Sequence, residues 1–145
     1  MKIIIATVTL IGLAVFQSGA QSGPRSVWDG IYTDEQAKRG ESPYRQQCVS
    51  CHGAAMEGGE DSPPLAGGAF LANWNGLTVG DLFERIRTTM PFNKPGGLSR
   101  EDTSDILAYV LSFNRFPAGK TELAHTTELL KQIRIEAAKP KKPAP

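Results

Sequence analysis

The residues best suited to chemistry stand together in one short run, YRQQCVSCHGAAMEGG. It contains both cysteines of the chain, Cys48 and Cys51, and His52 follows directly. Two thiols at this spacing lie on one side of a helical turn, where both can reach the vinyl groups of a porphyrin. The neighbouring imidazole can then bind the iron. Cys-x-x-Cys-His is the attachment pattern of c-type haem, so we expect one covalently bound haem c with His52 as its proximal ligand.

Two other kinds of site use the same residue types. A structural zinc site needs four ligands, and the only other histidine, His125, lies in a polar tail. A thioredoxin-like redox pair occurs in a βαβ context, of which the sequence shows no sign. Haem attachment therefore accounts for the motif better than either alternative.

Three side chains are candidates for the second axial ligand: Met56, Met90 and His125. Met56 stands four residues after His52, too near to pass to the opposite face of a haem, so we predict that it packs in the protein. Met90 is far enough along the chain, and Pro91 after it disfavours helical geometry. We predict Met90 as the sixth ligand, although a lone methionine can also fill a core. His125 is a weaker candidate, because its neighbours offer no rigid frame.

The first twenty residues have the pattern of a segment that is removed on export. Lys2 precedes an apolar run over residues 3–16, and residues 18–20 are small, as a signal peptidase requires. The run is short for a bilayer core, which needs about 20 apolar residues. We therefore expect a signal peptide over residues 1–20 and a soluble, periplasmic mature protein. An uncleaved membrane anchor is the alternative.

Three longer segments have the features of helices. The first starts at a Thr33 cap, with Glu35 as a first-turn acid and Gln36 as a capping-box partner. Pro43 predicts a kink or a break in this helix, because proline lacks the amide hydrogen that a helix interior uses. Farther along, the run FLANWNG predicts a short helix or turn.

The other two long helices have clearer apolar faces. One starts at a Thr78 cap and has Leu82, Phe83 and Ile86 at helical spacing. The other starts at Ser99, and the members of its apolar stripe are Ile106, Leu107, Tyr109, Val110 and Phe113. No segment alternates with the period of a strand. We therefore predict an all-α fold of three to five helices joined by long loops.

The connecting segments are rich in glycine and proline, above all residues 53–68. Connections of a dozen or more residues are uncommon in a small domain unless they are functional. A haem around which the loops wrap accounts for these long connections. Two cysteines allow only one disulfide, which is too few to stabilise the fold, so the haem would also complete the core. The net charge of +1 gives no basic face of the kind that binds nucleic acid, so we expect no nucleic-acid partner.

With these features together, the sequence resembles the class I monohaem c-type cytochromes. The likeness is greatest to bacterial periplasmic cytochromes and to cytochrome domains that serve quinoprotein dehydrogenases. It rests on GESPYRQQCVSCHG, PPLAGGAF, TVGDLFERIRTTMPFNKPGGLS and ILAYVLSFNRFPAG. It covers residues 30–120 and implies a cytochrome c fold wrapped around one haem. Residues 21–29 are then a leader, and residues 121–145 a C-terminal extension with a mobile Lys/Pro-rich end.

The resemblance implies specific helix packing. Gly40 and Tyr44 of the first helix should cross the last long helix near Ile106 and Tyr109, because a glycine lets two helix backbones approach closely. The C-terminal extension is absent from the minimal family. We expect it to wrap around the domain through three apolar residues, Leu129, Leu130 and Ile133.

The resemblance also implies contacts around the haem. The carbonyl group of Pro63, or that of Pro64, should accept the N–H of the proximal imidazole and make His52 a stronger donor. Trp74 stands where related folds place an aromatic side chain beside a haem propionate. Simple core packing of Trp74 is an equal alternative.

These features predict an electron-transfer protein rather than an enzyme. It would carry one electron between a dehydrogenase or quinol-oxidising complex and a terminal acceptor. One alternative is a ligand-binding or sensing haem protein, or a small haem enzyme, in which Met90 leaves the iron; only Arg87 and Lys94 could then polarise a bound ligand. Another is a subunit bound permanently to a dehydrogenase through its tail.

Overall fold

Helices form most of the secondary structure in the computed structural model, which describes residues 25–141. The predicted signal peptide, the start of the leader and the end of the tail (142–145) lie outside the described residues. The elements, in chain order, are β1 (Arg25–Ser26), a 3-10 helix (Val27–Asp29), α1 (Asp34–Gln47), α2 (Val49–His52), α3 (Gly67–Trp74), α4 (Val79–Thr89), α5 (Arg100–Phe113), α6 (Thr127–Leu130) and β2 (Ile133–Arg134). The predicted helical fold class is confirmed. The short parallel pair of β1 and β2 was not predicted, because strands of two residues leave no alternating pattern.

The first helix begins as predicted and continues farther than predicted. Thr33 caps α1, with its hydroxyl accepting the amide hydrogen of Gln36 at 3.1 Å. Of the predicted kink or break at Pro43, the break is wrong, because α1 continues through Pro43 to Gln47. One missing helical hydrogen bond is outweighed by the packing of α1 along α5. The interruption comes instead at Cys48, which separates α1 from α2.

The Gln36 side chain does not complete a capping box. It is buried, and its amide nitrogen donates to the Ser104 hydroxyl and to the Leu123 carbonyl, both at 3.1 Å. Its oxygen accepts the Leu123 amide hydrogen at 2.6 Å. A long-range partner therefore replaces the local one that the sequence suggested.

The caps of the other long helices are confirmed. Thr78 and Asp81 form a full capping box at the start of α4, and the Ser99 hydroxyl accepts the Asp102 amide hydrogen at 2.9 Å at the start of α5. Ile106, Leu107 and Val110 of the predicted α5 stripe are buried. Tyr109 is only half-buried and Phe113 is 39% exposed, so the stripe is narrower than predicted.

The predicted crossing of α1 and α5 is confirmed. A Cβ placed on Gly40 would lie 1.9 Å from the Asp105 oxygen and 2.9 Å from the Ile106 nitrogen. One helical turn farther along, the rings of Tyr44 and Tyr109 are 5.4 Å apart. The backbones of the two helices are therefore in direct contact at Gly40.

The C-terminal segment packs around the domain as predicted, through Leu130 and Ile133, which are buried. Leu129 takes no part, since it is 55% exposed. We call residues 121–137 the C-terminal strap. The strap meets the start of the described chain, where the Trp28 indole N–H donates to the Glu136 carbonyl at 2.9 Å.

Candidate haem site

The two thiols and the imidazole lie on a single helical turn. Cys48 ends α1 and precedes α2, and the amide hydrogens of Cys51 and His52 both bond to the Cys48 carbonyl, at 3.1 and 2.9 Å. Cys48 is half-buried and Cys51 exposed, and both are free thiols. The Tyr44 hydroxyl donates to the Gly53 carbonyl at 2.8 Å and so holds the end of this turn. Both thiols are thus unpaired and lie within the same helical turn.

The His52 imidazole is buried and held in one orientation. Its Nδ1 lies 2.8 Å from the carbonyl oxygen of Pro63. A carbonyl oxygen only accepts, so Nδ1 is the donor in this contact, and in the neutral imidazole Nε2 is then the nitrogen whose lone pair can bind a metal. Pro63, rather than Pro64, supplies this oxygen. The contact is the one that a haem-binding histidine uses to fix its tautomer and raise its basicity.

Two residues that the sequence analysis did not single out shape the loop that carries Pro63. Gly58 has a φ of +78°, and a Cβ there would lie 2.5 Å from the Ser62 carbonyl oxygen. Asn114, just after α5, donates from its side-chain amide to the Leu65 carbonyl at 2.9 Å and accepts the Gly67 amide hydrogen at 3.0 Å. Gly58 could have been recognised as a turn glycine, whereas nothing in the sequence points from Asn114 to this loop.

The environment of the cysteines argues against the two other uses of the motif. Burial, with a smaller contribution from Cys51, raises the pKa of the Cys48 thiol to about 11. The attacking thiol of a redox pair has a lowered pKa, so Cys48 lacks the property that a thioredoxin-like nucleophile needs. A structural zinc site needs four ligands. Within residues 25–141, not even three His, Cys, Asp or Glu side chains stand close enough together to hold a metal ion.

The two methionines have different surroundings. Met56 is fully buried in the hydrophobic core, which confirms its predicted packing role. Met90 is half-buried and ends α4 in an extended conformation, with its amide hydrogen bonded to the Ile86 carbonyl at 2.9 Å. His125 is exposed. Met90 therefore stays partly exposed at the end of α4, whereas Met56 is fully enclosed by the core.

Trp74 is the last residue of α3 and is half-buried, with its ring 6.5 Å from that of Phe70. In the part of the chain that the structure describes, no hydrogen bond joins Trp74 or Met90 to the motif. The structure thus brings together Cys48, Cys51, His52 and Pro63. The roles of Met90 and Trp74 toward a haem stay predictions.

The available side chains fit a haem c in chemistry and in polarity. They comprise two free thiols, an imidazole held at Nδ1 by the Pro63 carbonyl and a thioether, which are the groups that haem c attachment and ligation use. Apolar residues that pack against the core while keeping some exposed surface include Leu65, Leu71, Trp74, Ile86 and Leu98. This remaining apolar surface is compatible in polarity with a porphyrin ring.

Residues 35–110, just over half of the chain, match the family described as cytochrome c oxidase, cbb3-type, subunit III. The chain belongs to this family of cytochrome c domains. Such domains carry covalently bound haem c and transfer electrons. This result supports the predicted monohaem c-type cytochrome family. The predicted likeness to cytochromes that serve quinoprotein dehydrogenases stays a prediction.

The similar proteins include two subunits of larger oxidases. The cytochrome c domain is 29% identical to the cbb3-type cytochrome c oxidase subunit CcoP of Azospirillum brasilense, over 52% of this chain and 30% of that one. It is 32% identical to the CcoP subunit of Azospirillum sp. (strain B510), over the same shares. The chain thus spans about a third of the length of these curated relatives.

A solved structure shares the fold. The sulfane dehydrogenase SoxCD from Paracoccus pantotrophus contains a chain that superposes with a TM-score of 0.50 at 24% identity, over 74% of this chain and 61% of that one. At this identity the likeness shows the fold alone. Among residues 25–141, no helix is long and apolar enough to cross a membrane.

Proposed function

We propose that this chain is a soluble, periplasmic one-electron carrier. Cys48 and Cys51 would hold one haem c covalently, and His52 and Met90 would bind its iron. When bound, the haem supplies a one-electron Fe(III)/Fe(II) couple. The observation that carries this proposal is the 2.8 Å contact between His52 Nδ1 and the Pro63 carbonyl, which prepares Nε2 as a metal donor inside a Cys-x-x-Cys-His turn.

The side chains of the site have separable tasks in this proposal. Pro63 holds the His52 ring and increases the electron density on Nε2. Met90 offers a soft thioether, which favours the reduced iron and predicts a positive reduction potential. With both His52 and Met90 on the iron, the haem would offer no open position to a substrate. This arrangement suits a carrier rather than a catalyst.

The half-buried position of Trp74 suits a residue at the edge of the site. Its indole N–H is a donor only, and a haem propionate would be an acceptor for it. We therefore propose Trp74 as a propionate contact.

The partners are proposed from the relatives. CcoP is a subunit of an oxidase, so we propose that this domain exchanges electrons with an oxidase. We propose a dehydrogenase or a cytochrome complex as the other redox partner of the carrier. The relatives also favour a second arrangement, in which the domain is a permanent part of such a complex. Size-exclusion chromatography of the native protein distinguishes the two: a complex that survives high salt favours a subunit, and a free domain favours a carrier.

The decisive test is to purify the chain from a host that matures c-type cytochromes. Intact mass spectrometry should show the polypeptide plus one haem, and the reduced absorption spectrum should be that of a six-coordinate haem c. The weak ferric band of a thioether–iron bond should be present. Bare polypeptide mass would overturn the proposal.

The same sample tests the alternative of a ligand-binding or sensing protein, or a small haem enzyme, in which Met90 is labile. Pro91, directly after Met90, is buried, and the residues that follow it are exposed, with Phe92 84% exposed. Carbon monoxide added to the reduced protein should cause no rapid spectral change if it is a carrier. Rapid and tight binding would favour the alternative.

A further inference from the structure

The C-terminal strap holds α4 through a charged hydrogen-bond cluster. The Thr127 hydroxyl, at the start of α6, donates to Oε1 of Glu84 in the middle of α4. Arg87, one turn later on α4, donates to both oxygens of the same carboxylate, at 3.1 and 2.9 Å. Hydrogen bonds to a charged group are about twice as strong as neutral ones. The cluster therefore ties α6 to the part of α4 that leads to Met90.

A second contact lies one turn earlier on α4. A Cβ placed on Gly80 would stand 2.7 Å from the backbone nitrogen of Lys131 and 3.0 Å from its Cα. The backbone at the end of α6 thus rests directly on α4, which only a glycine permits at this distance. Gly80 and Glu84 together set both the position of α4 along its axis and its rotation about that axis.

The strap is anchored on both sides of α6. Before it, Leu123 exchanges two hydrogen bonds with the buried Gln36 amide. After it, the Ile135 amide hydrogen bonds to the Leu77 carbonyl, and the Ile135 carbonyl accepts from Gly76, both at 2.8 Å. The strap therefore connects α4 to α1 and to the turn that follows Trp74.

Met90 lies at the end of the helix that is held in this way. The capping box of Thr78 and Asp81 closes α4 at its start, and the bond from the Met90 amide to Ile86 closes it at its end. A short, fully bonded helix moves as a rigid body, so a shift at Glu84 carries Met90 with it. We propose that Thr127 and Glu84 are positioning residues for Met90, through which the C-terminal strap sets the strength of the thioether–iron bond. This inference rests on the proposed function.

The test uses holoprotein variants of the full chain. Thr127→Val keeps the shape of the side chain but removes the donor, whereas Thr127→Ser keeps the donor. The readouts are the ferric thioether–iron band and the affinity for imidazole, which competes with Met90 for the iron. Thr127→Val should weaken the band and tighten imidazole binding about tenfold, as for a lost charged hydrogen bond. Thr127→Ser should match the wild type.

Thr126→Val is the matched control. The Thr126 hydroxyl oxygen is buried in the same segment and has no hydrogen-bond partner within the described range, so its loss should move neither readout. Gly80→Ala disturbs the same interface sterically and should shift both readouts in the direction of Thr127→Val. It decides the question if Thr127→Val yields too little holoprotein.

The possible results separate this inference from the proposed coordination. A wild-type band that survives unchanged in Thr127→Val and Gly80→Ala, with unchanged imidazole affinity, would overturn the positioning role and leave Met90 as the ligand. An equal shift in Thr126→Val would also overturn it, since the effect would then belong to the segment rather than to the bond. A wild type without the band would overturn Met90 as the ligand, and this inference with it.

Discussion

Gly40 of α1 lies directly against the carbonyl group of Asp105 on α5. A Cβ on Gly40 would stand 1.9 Å from the Asp105 oxygen and 2.4 Å from its carbon. The same helix ends at Cys48, so this backbone contact fixes how the motif stands relative to α5. The glycine at which the sequence predicted a close crossing thus determines the distance between α1 and α5.

Gly40→Ala should destabilise the holoprotein by about 1–3 kcal/mol, because α1 and α5 must separate to admit the methyl group. Denaturant unfolding measures the change. Gly68→Ala is the control, because nothing lies within 4 Å of a Cβ at Gly68. Since Gly68 is helical, its replacement should be neutral or stabilising by about 0.5–1 kcal/mol. Equal stability of the two variants would contradict the close crossing.

Met90→Ala should leave the haem attached, open a coordination position and lower the reduction potential, because a thioether favours Fe(II). Redox titration and the absorption spectrum measure both effects. Met56→Leu is the control: Met56 is buried in the core, and a volume-conserving exchange should keep the spectrum. If the spectrum of Met90→Ala equals that of the wild type, Met90 only packs.

Replacing both Cys48 and Cys51 by Ala should allow the haem to be extracted in denaturant and leave the polypeptide largely disordered. The reason is that a small domain without its cofactor buries too little apolar surface. Haem extraction and circular dichroism report the two outcomes. Ser50→Ala, at the exposed position between the cysteines, should retain covalent haem. Full helical content in the haem-free double variant would contradict the prediction.

The stability of the protein should depend on the ionisation of Glu84. Hydrogen bonds from Arg87, and then from Thr127, lower the pKa of this carboxyl group from 4.5 to about 2. A lowered native pKa stabilises the fold above the ordinary pKa, and this contribution is lost as the pH falls from about 4.5 toward 2. The difference in Tm between wild type and Glu84→Gln should be constant above pH 5 and shrink below it. A difference that does not change with pH would contradict this role.

Gln36→Leu should destabilise the protein by about 1–3 kcal/mol, because the buried amide hydrogen of Leu123 would lose its acceptor. Thermal unfolding of the holoprotein measures the loss. Gln46→Ala is the matched control on the same helix. The Gln46 amide bonds only to the exposed Ser42 side chain, so its removal should cost less than about 0.5 kcal/mol. Similar Tm values for the two variants would show that Gln36 does not hold the strap.

Local signals in the sequence predicted the helix starts correctly. Thr33, Thr78 and Ser99 cap α1, α4 and α5, because a cap depends only on residues two or three positions away. The same reasoning failed for the predicted break at Pro43 and for the Gln36 side chain. In both places a contact with a distant part of the chain outweighed the local preference, and a single sequence carries no record of such contacts.

By itself the sequence determined the chemistry of the candidate site, because two thiols and an imidazole within five positions must share one helical turn. Only the tertiary structure decided which carbonyl holds His52 and that the strap, through Thr127, holds the helix that ends at Met90. Contacts of this kind join residues far apart in the chain, and they exist only once the whole domain has packed.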